Sequence, residues 1–392
     1  MSLTARLRGR LARGMRTSGD ASGDLKVASM IAALARSGPA PLRDHGPPSS
    51  GPASIAIVIP SFRRGSGGHM TIVHLARALR EMGHSISLWL EDSAGWHAGE
   101  SESLLQQRFD DFFAADGLPL RCGFDSWEGA DFVIATGWQT APRVQLLPGA
   151  GARAYLVQDH EPDFYPVSAE SMWAAETYRY GLHCVAASPW LADLLRQRYG
   201  AQASHFDLAL DHSVYRPSDD PRDPHLVVLY ARSSTPRRAV PIGLLALSAL
   251  AGRRADLKLA TFGQDAHEPL DFECEQLGVL SGRECAALYG RASVGVVLSL
   301  TNPSLVCLEM MACGLPCVEA ASEPMLASFT ADGPLRLAEP TPEALASAIE
   351  ALLEDEQARE TASGGGIHLA AERTWQTAAE QVLAGLRQAA AP

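Results

Sequence analysis

The 392-residue chain has no run of 18 or more apolar residues, so nothing in it is built to span a bilayer as a helix. Its seven cysteines form no Cys-x-x-Cys pair. Its twelve histidines form no His-x-x-x-His with an acidic partner, and no Asp-x-Asp occurs. Those absences remove the common zinc and hard-cation ligand sets, so no metal and no cofactor is expected. Positive charge is also short: the formal net charge is −12, the wrong sign for a nucleic-acid binder. An odd number of cysteines, with Cys184, Cys307 and Cys313 in apolar surroundings, suits buried thiols in a reducing compartment better than disulfides. A cytoplasmic protein is expected.

What is present suits two α/β domains. Apolar residues make up 46%, and the length is that of two ordinary domains, each able to bury a core. Positive charge collects at the start, where residues 1–50 hold eight basic against three acidic side chains. Such an arm can touch the inner face of an anionic membrane peripherally, or be a solvated tail. The stretch Val27–Ala35 is too short, too Ala-rich and too closely preceded by Asp20 and Asp24 for a secretion signal. Residues 38–53 are proline-rich, so residues 1–53 are expected to be a basic arm and linker, with folded sequence starting at Ser54.

From there the chain alternates strands and helices. Ile55–Ile59 is an unbroken apolar, β-branched run, as in buried parallel strands. A Gly-rich turn, a helix from about Met70 to Met82 and a strand at Ser85–Leu90 follow, making a β-turn-α-β unit. Further strands are expected at Asp131–Thr136, Ala154–Gln158 and His183–Ala187. Pro217–Pro224, with three prolines and four charged residues, reads as a domain boundary. Leu226–Tyr230, Leu257–Phe262 and Val294–Leu300 repeat the pattern. The last is followed by a helix with Asn302 as N-cap, Pro303 in its first position, Gly314 as C-cap and Pro316 beyond. The expected domains are 54–217 and 225–369, with a C-terminal helix at 370–390 rejoining the first. Their cleft lies at the carboxyl ends of both sheets, where ligands of such folds bind.

Four segments at strand ends carry candidate chemistry. Gly65-Ser66-Gly67-Gly68 offers backbone N–H groups at a helix start to an anion; a plain tight turn is the alternative. In Ala231–Arg238, Arg237 and Arg238 fall in an expected first helical turn, where cations oppose the helix dipole unless an anion binds; ordinary surface arginines are the alternative. Thr301-Asn302-Pro303-Ser304-Leu305 offers free N–H groups to a diphosphate, with Glu309 placed for a ribose or for a structural ion pair. Val157–Pro166, with Asp159, His160, Glu161, Asp163, Phe164 and Tyr165, has the acids and aromatics of a sugar-binding lip, or of a charged surface loop. Trp138 and Trp173 read as packing residues.

Together these residues resemble the GT-B glycosyltransferases of glycosyltransferase family 4 over roughly residues 54–390. The resemblance lies in Gly67-Gly68 with the helix carrying His74–Leu79 and ending at Gly83-His84, in the spacing of Arg232 and Arg237, and above all in Leu308–Pro316. Two positions depart from the family pattern: Thr301 replaces the first acid of a Glu-x7-Glu pair, and Arg237 replaces a Lys. A narrower similarity of 158–166, 232–238 and 299–316 to bacterial rhamnosyltransferases that build surface glycans accommodates both.

The resemblance implies two doubly wound, Rossmann-like domains facing each other across a cleft. It implies a dTDP-β-L-rhamnose donor, a carbohydrate or lipid-linked glycan acceptor, and retention of configuration without a metal. Donor contacts fall to Gly67, Gly68, Arg232, Arg237, Thr301, Asn302, Pro303, Ser304, Leu305 and Glu309. Acceptor contacts fall to Glu161 and Tyr165, and Asp159 lies near the reacting centre with Arg232 and Arg237. Rival readings are a UDP- or GDP-hexose donor, an NAD-dependent dehydrogenase suggested by the Gly turn and Glu91, and a non-catalytic nucleotide-sugar-binding protein suggested by Thr301.

Overall fold

The computed structural model describes residues 21–115, 117–264, 269–330 and 333–390. The described residues form two wholly parallel sheets. The first has seven strands: β1 (Ser54–Pro60), β2 (Ser85–Glu91), β3 (Leu120–Cys122), β4 (Ala130–Ala135), β5 (Ala150–Val157), β6 (His183–Ala186) and β7 (Ala203–His205). Their order is β3-β2-β1-β4-β5-β6-β7. The second holds β8 (Leu226–Tyr230), β9 (Lys258–Phe262), β10 (Glu275–Gln276), β11 (Val294–Val297), β12 (Cys317–Ala320) and β13 (Leu335–Ala338), in the order β10-β9-β8-β11-β12-β13. Each order reverses direction once, at β1/β4 and at β8/β11, and such switch points open a crevice at the carboxyl edge.

The unbroken apolar runs follow from burial on both faces. In β1, Ile55, Ile57 and Ile59 enter one core layer, while Ala56 and Val58 enter the opposite one. In β8, Leu226 and Val228 divide from Val227 and Leu229 in the same way. Full burial of each large aliphatic side chain contributes ~1.5–3 kcal/mol, which is why these strands carry no polar face.

Helices Gly67–Glu81 and Trp375–Ala389 cover one face of the first sheet. The second of these belongs in sequence to the end of the chain, yet packs on β5, β6 and β7. Gly385 permits the approach: a Cβ there would lie 2.5 Å from Ser204 Oγ and 2.8 Å from Val185 Cγ2.

Several expectations are corrected. Folded sequence does not start at Ser54: Ala21–Ser37 is a helix, with Val27 and Met30 buried against Trp138 and Ala174. The following proline-rich stretch is tied down by Ala40 N to Gln145 O and Arg43 N to Ala150 O, at 2.8 and 2.9 Å. Residues 1–20 of the expected basic arm lie outside the described residues. The Gly67 helix begins three residues before Met70, so Gly67 and Gly68 form its first turn, and the residue with positive φ is Gly65 at +75°. Arg237 and Arg238 sit in a 3-10 turn, Pro236–Arg238, not in the first turn of the helix that starts at Val240. The helix Leu305–Ala312 is capped by Ser304, not Asn302. Strands β3, β7 and β10, of two or three residues, have too little pattern to be read from sequence.

Candidate active site

The carboxyl ends of β5 and β11 meet across the two sheets, and a carboxylate sits at the seam. Asp159 follows β5 by two residues and is buried. Its Oδ2 accepts from Arg237 Nε at 2.7 Å. Its Oδ1 accepts from the N–H groups of His160 at 2.9 Å and Asn302 at 3.1 Å. Two of these three donors come from the second half of the chain. Burial draws the Arg237 pKa down, while the Asp159 charge opposes that shift. Its guanidinium carbon lies 4.1 Å from the centre of the Phe164 ring. The arginine is thus held between a carboxylate and an aromatic face.

Asn302 explains why it is not a helix cap. Its amide Nδ2 donates to Gln158 O at 3.1 Å and Ala187 O at 3.0 Å, and its Oδ1 accepts from Ser188 Oγ at 2.6 Å. One side chain therefore closes the ends of β5 and β6 against the loop after β11. Nearby, Arg232 Nη1 donates to Gly65 O at 2.6 Å, and Gln158 Nε2 donates to Gly68 O at 3.1 Å. A Cβ on Gly67 would meet nothing within 4 Å, so its backbone faces open space. Thr301 is buried, and its Oγ1 has no partner among the described residues. Ser304 Oγ accepts from Val306 N at 3.3 Å; Pro303 and Leu305 are half-buried beside it.

A second buried acid supports the same loop. Glu319, on β12, is fully buried, and its Oε1 accepts from the N–H groups of Ser299 at 2.6 Å and Ala320 at 3.0 Å. Ser299 Oγ accepts from Arg238 Nη1 at 2.6 Å. Desolvation pushes the Glu319 pKa up to about 7, against the pull of those N–H groups and of Arg238. Sequence reasoning missed this acid. Its signal was a charge inside the otherwise apolar strand Cys317–Ala320, which burial must satisfy with donors.

The remaining expected residues take other partners. Glu309 is half-buried and receives the Tyr215 hydroxyl; desolvation pushes it up to about 7. Glu161 points inward: it accepts from Tyr155 OH at 2.5 Å and Trp138 N at 2.7 Å, and burial lifts it to about 7. Tyr165 OH accepts from Trp138 Nε1 at 3.0 Å. Trp138 is buried and packs on Trp173. Glu161 and Tyr165 therefore brace the wall behind Asp159. Among the described residues no group of three or more His, Cys, Asp or Glu could hold a metal ion, and no helix is long and apolar enough to cross a membrane. Cys184, Cys307 and Cys313 are buried free thiols.

Known proteins share this architecture. Residues 225–350 match the WsaF C-terminal domain and residues 126–188 the WsaF N-terminal domain. The O-antigen biosynthesis protein RfbC of Myxococcus xanthus is 29% identical over 265 residues, 65% of this chain. The chain spans about a fifth of that relative, 20% of its length. TarM superposes with a TM-score of 0.69 at 8% identity, covering 85% of this chain and 98% of its own. Sucrose-phosphate synthase of Thermosynechococcus elongatus superposes at 0.65 and 18% identity, covering 86% and 98%. Anabaena HepE in complex with UDP-glucose superposes at 0.64 and 14% identity, covering 85% and 99%. The fold is GT-B. In GT-B terms, Asp159 and Gly65–Gly68 line one side of the cleft, Arg232, Arg237 and Asn302 the other, and the hydrogen bonds between them cross it.

Proposed function

We propose that the chain is a glycosyltransferase that moves a sugar from a nucleoside diphosphate to a glycan acceptor. The observation that carries this reading is the placement of Arg232 and Arg237 at the mouth of the GT-B cleft, each bonded across it, to Gly65 O and to Asp159. Two guanidinium groups suit a diphosphate that gains charge as it leaves. The RfbC relative, an O-antigen biosynthesis protein, and the UDP-glucose complex of HepE support the same class.

In the finer reading the enzyme belongs with glycosyltransferase family 4, the donor is dTDP-β-L-rhamnose, and the anomeric configuration is retained. Residues 225–369 hold the donor. Residues 54–217, with the helix 370–390, hold the acceptor, a carbohydrate or lipid-linked glycan. Arg232 and Arg237 neutralise the diphosphate, and Glu309 accepts from the ribose hydroxyls. Asp159 orients the acceptor hydroxyl or stabilises positive charge developing on the sugar. The acceptor oxygen bonds to the anomeric carbon as the bond to the diphosphate breaks, and a leaving phosphate oxygen takes the acceptor's proton. No separate base is then required. Thr301, with its buried unpartnered hydroxyl, meets the donor sugar where family members carry an acid. The basic N-terminal arm supplies peripheral membrane contact on the cytoplasmic side.

The test is a donor panel of dTDP-β-L-rhamnose, UDP-glucose and GDP-mannose, with the released nucleotide quantified by chromatography. Release of dTDP alone supports the rhamnosyl reading; release of UDP or GDP instead replaces the donor. Binding of a nucleotide sugar without any release favours a non-catalytic binder.

A further inference from the structure

A second polar cavity, of about 290 Å³, opens at the carboxyl ends of β2 and β3. Its floor is an ion bridge. The buried Glu91 pairs with Lys26 at 2.9 Å through Oε1 and with Arg143 at 2.6 Å through Oε2. Lys26 comes from the helix Ala21–Ser37 and also donates to Asp92 O at 2.9 Å. Arg143 lies over the Phe124 ring at 4.9 Å, and among the described residues it makes no hydrogen bond through either Nη. Asp125, exposed at the mouth, has no partner among the described residues. A bridge that merely tethered the helix would be closed over by it. This one has an open cavity with unused donors and an unused acceptor beside it.

Charge selects among ligands. Glu91, Asp92, Glu100 and Asp125 line the cavity with Lys26 and Arg143; Arg108 pairs with Glu100 at 2.7 Å, which leaves four acids against three cations, and His97 is already shared between Phe62 N and Glu100. The lining is net negative, which disfavours a phosphate or carboxylate and suits a neutral ligand rich in hydroxyls. Position selects further. β2 is three strand intervals from β5 in the sheet order, so the cavity lies roughly 14 Å along the same carboxyl edge from Asp159. A single sugar at the reacting centre does not reach it.

We propose that this cavity is a distal subsite for the acceptor glycan, binding a neutral sugar well back from the hydroxyl that is glycosylated. This rests on the transferase reading. It makes the preferred acceptor an oligosaccharide and gives the helix Ala21–Ser37 a place in the site.

The probe is glycan released by mild acid from the encoding organism and size-fractionated into one-sugar and longer pools, titrated without donor by calorimetry. The wild-type chain should bind the longer pools and not the one-sugar pool. Asp125→Asn, an exposed change, should weaken that binding about tenfold, as loss of a charge-assisted hydrogen bond does. Asp125→Trp, which fills the mouth, should abolish it. Neither should change binding of dTDP or UDP. Equal binding of the long pools by wild type and both folded variants, or no binding of any pool, overturns the subsite. Absence of nucleotide binding overturns the transferase reading instead and leaves the glycan result standing.

Discussion

Removal of Arg237 and removal of Asp159 should move donor affinity in opposite directions. A charge-assisted hydrogen bond contributes ~1.5–3 kcal/mol. Arg237 already makes one in the free protein, to Asp159 at 2.7 Å, so a diphosphate exchanges partners rather than filling a vacancy. Arg237→Ala should therefore lose about the lower figure, ~1.5 kcal/mol, or roughly tenfold in dTDP affinity. Thymidine has no diphosphate and should bind Arg237→Ala as it binds wild type. Asp159→Asn keeps an oxygen for the N–H groups of His160 and Asn302 but frees the guanidinium. It also removes an anion whose repulsion of a phosphate at ~4 Å is worth ~4 kcal/mol at an effective dielectric of ~20, before screening. Tighter dTDP binding, by about five- to tenfold, is expected from Asp159→Asn, together with slower sugar transfer. Calorimetry of wild type and both variants with dTDP and thymidine gives the comparison, and circular dichroism melts confirm folding. If folded Arg237→Ala binds dTDP like wild type, or Asp159→Asn weakens it, the phosphate assignment fails.

Further outcomes follow from the same structure. Glu309→Gln should weaken dTDP and thymidine by similar factors in the same calorimetry, because its proposed contact is to the ribose and not to the diphosphate. Glu161, Glu309 and Glu319 are all pushed up to about 7 from an ordinary 4.5. The folded state thus binds these protons more tightly, and their contribution to stability is complete below about pH 4.5 and lost as pH rises toward 7. Urea melts at pH 5.5 and 7.5 should show Glu319→Gln flattening that slope by about 1–2 kcal/mol; an unchanged slope would place the proton elsewhere. Gly385→Ala drives a methyl into Ser204 and Val185 and should cost ~1–3 kcal/mol in thermal melts, whereas Gly67→Ala should leave the melt intact and slow transfer by crowding the donor. Transfer should persist in EDTA, with released nucleotide as the readout; loss on chelation and recovery with Mn²⁺ or Mg²⁺ would show that a metal shares the arginines' task.

Much of the fold was legible because its strands are buried on both faces and therefore read as unbroken apolar runs. Ile55–Ile59 and Leu226–Tyr230 could be recognised from a few residues each, and the glycines and prolines around them mark the turns. The helix Ala21–Ser37 was not legible in the same way. Its alanine-rich pattern has no strong apolar stripe, and its stability comes from Trp138 and Ala174, more than a hundred residues away. Asn302 misled for a related reason. Asn before Pro is a local cap signal, but the carbonyls of Gln158 and Ala187 and the Ser188 hydroxyl outcompete the helix for its amide.

By itself, then, the sequence determined two parallel α/β sheets, the loops at their carboxyl ends, and the kinds of side chain those loops carry. These depend on near-neighbour patterns of burial and backbone preference. Only the tertiary structure decided that Asp159 pairs with Arg237 across 78 residues, that Asn302 joins the two halves, and that Glu161 faces inward. The same holds for Lys26, which reaches Glu91 beside an open cavity. Each of those outcomes is a choice among partners brought together by folding, and a buried polar group takes whichever partner lies within hydrogen-bond reach when water is excluded.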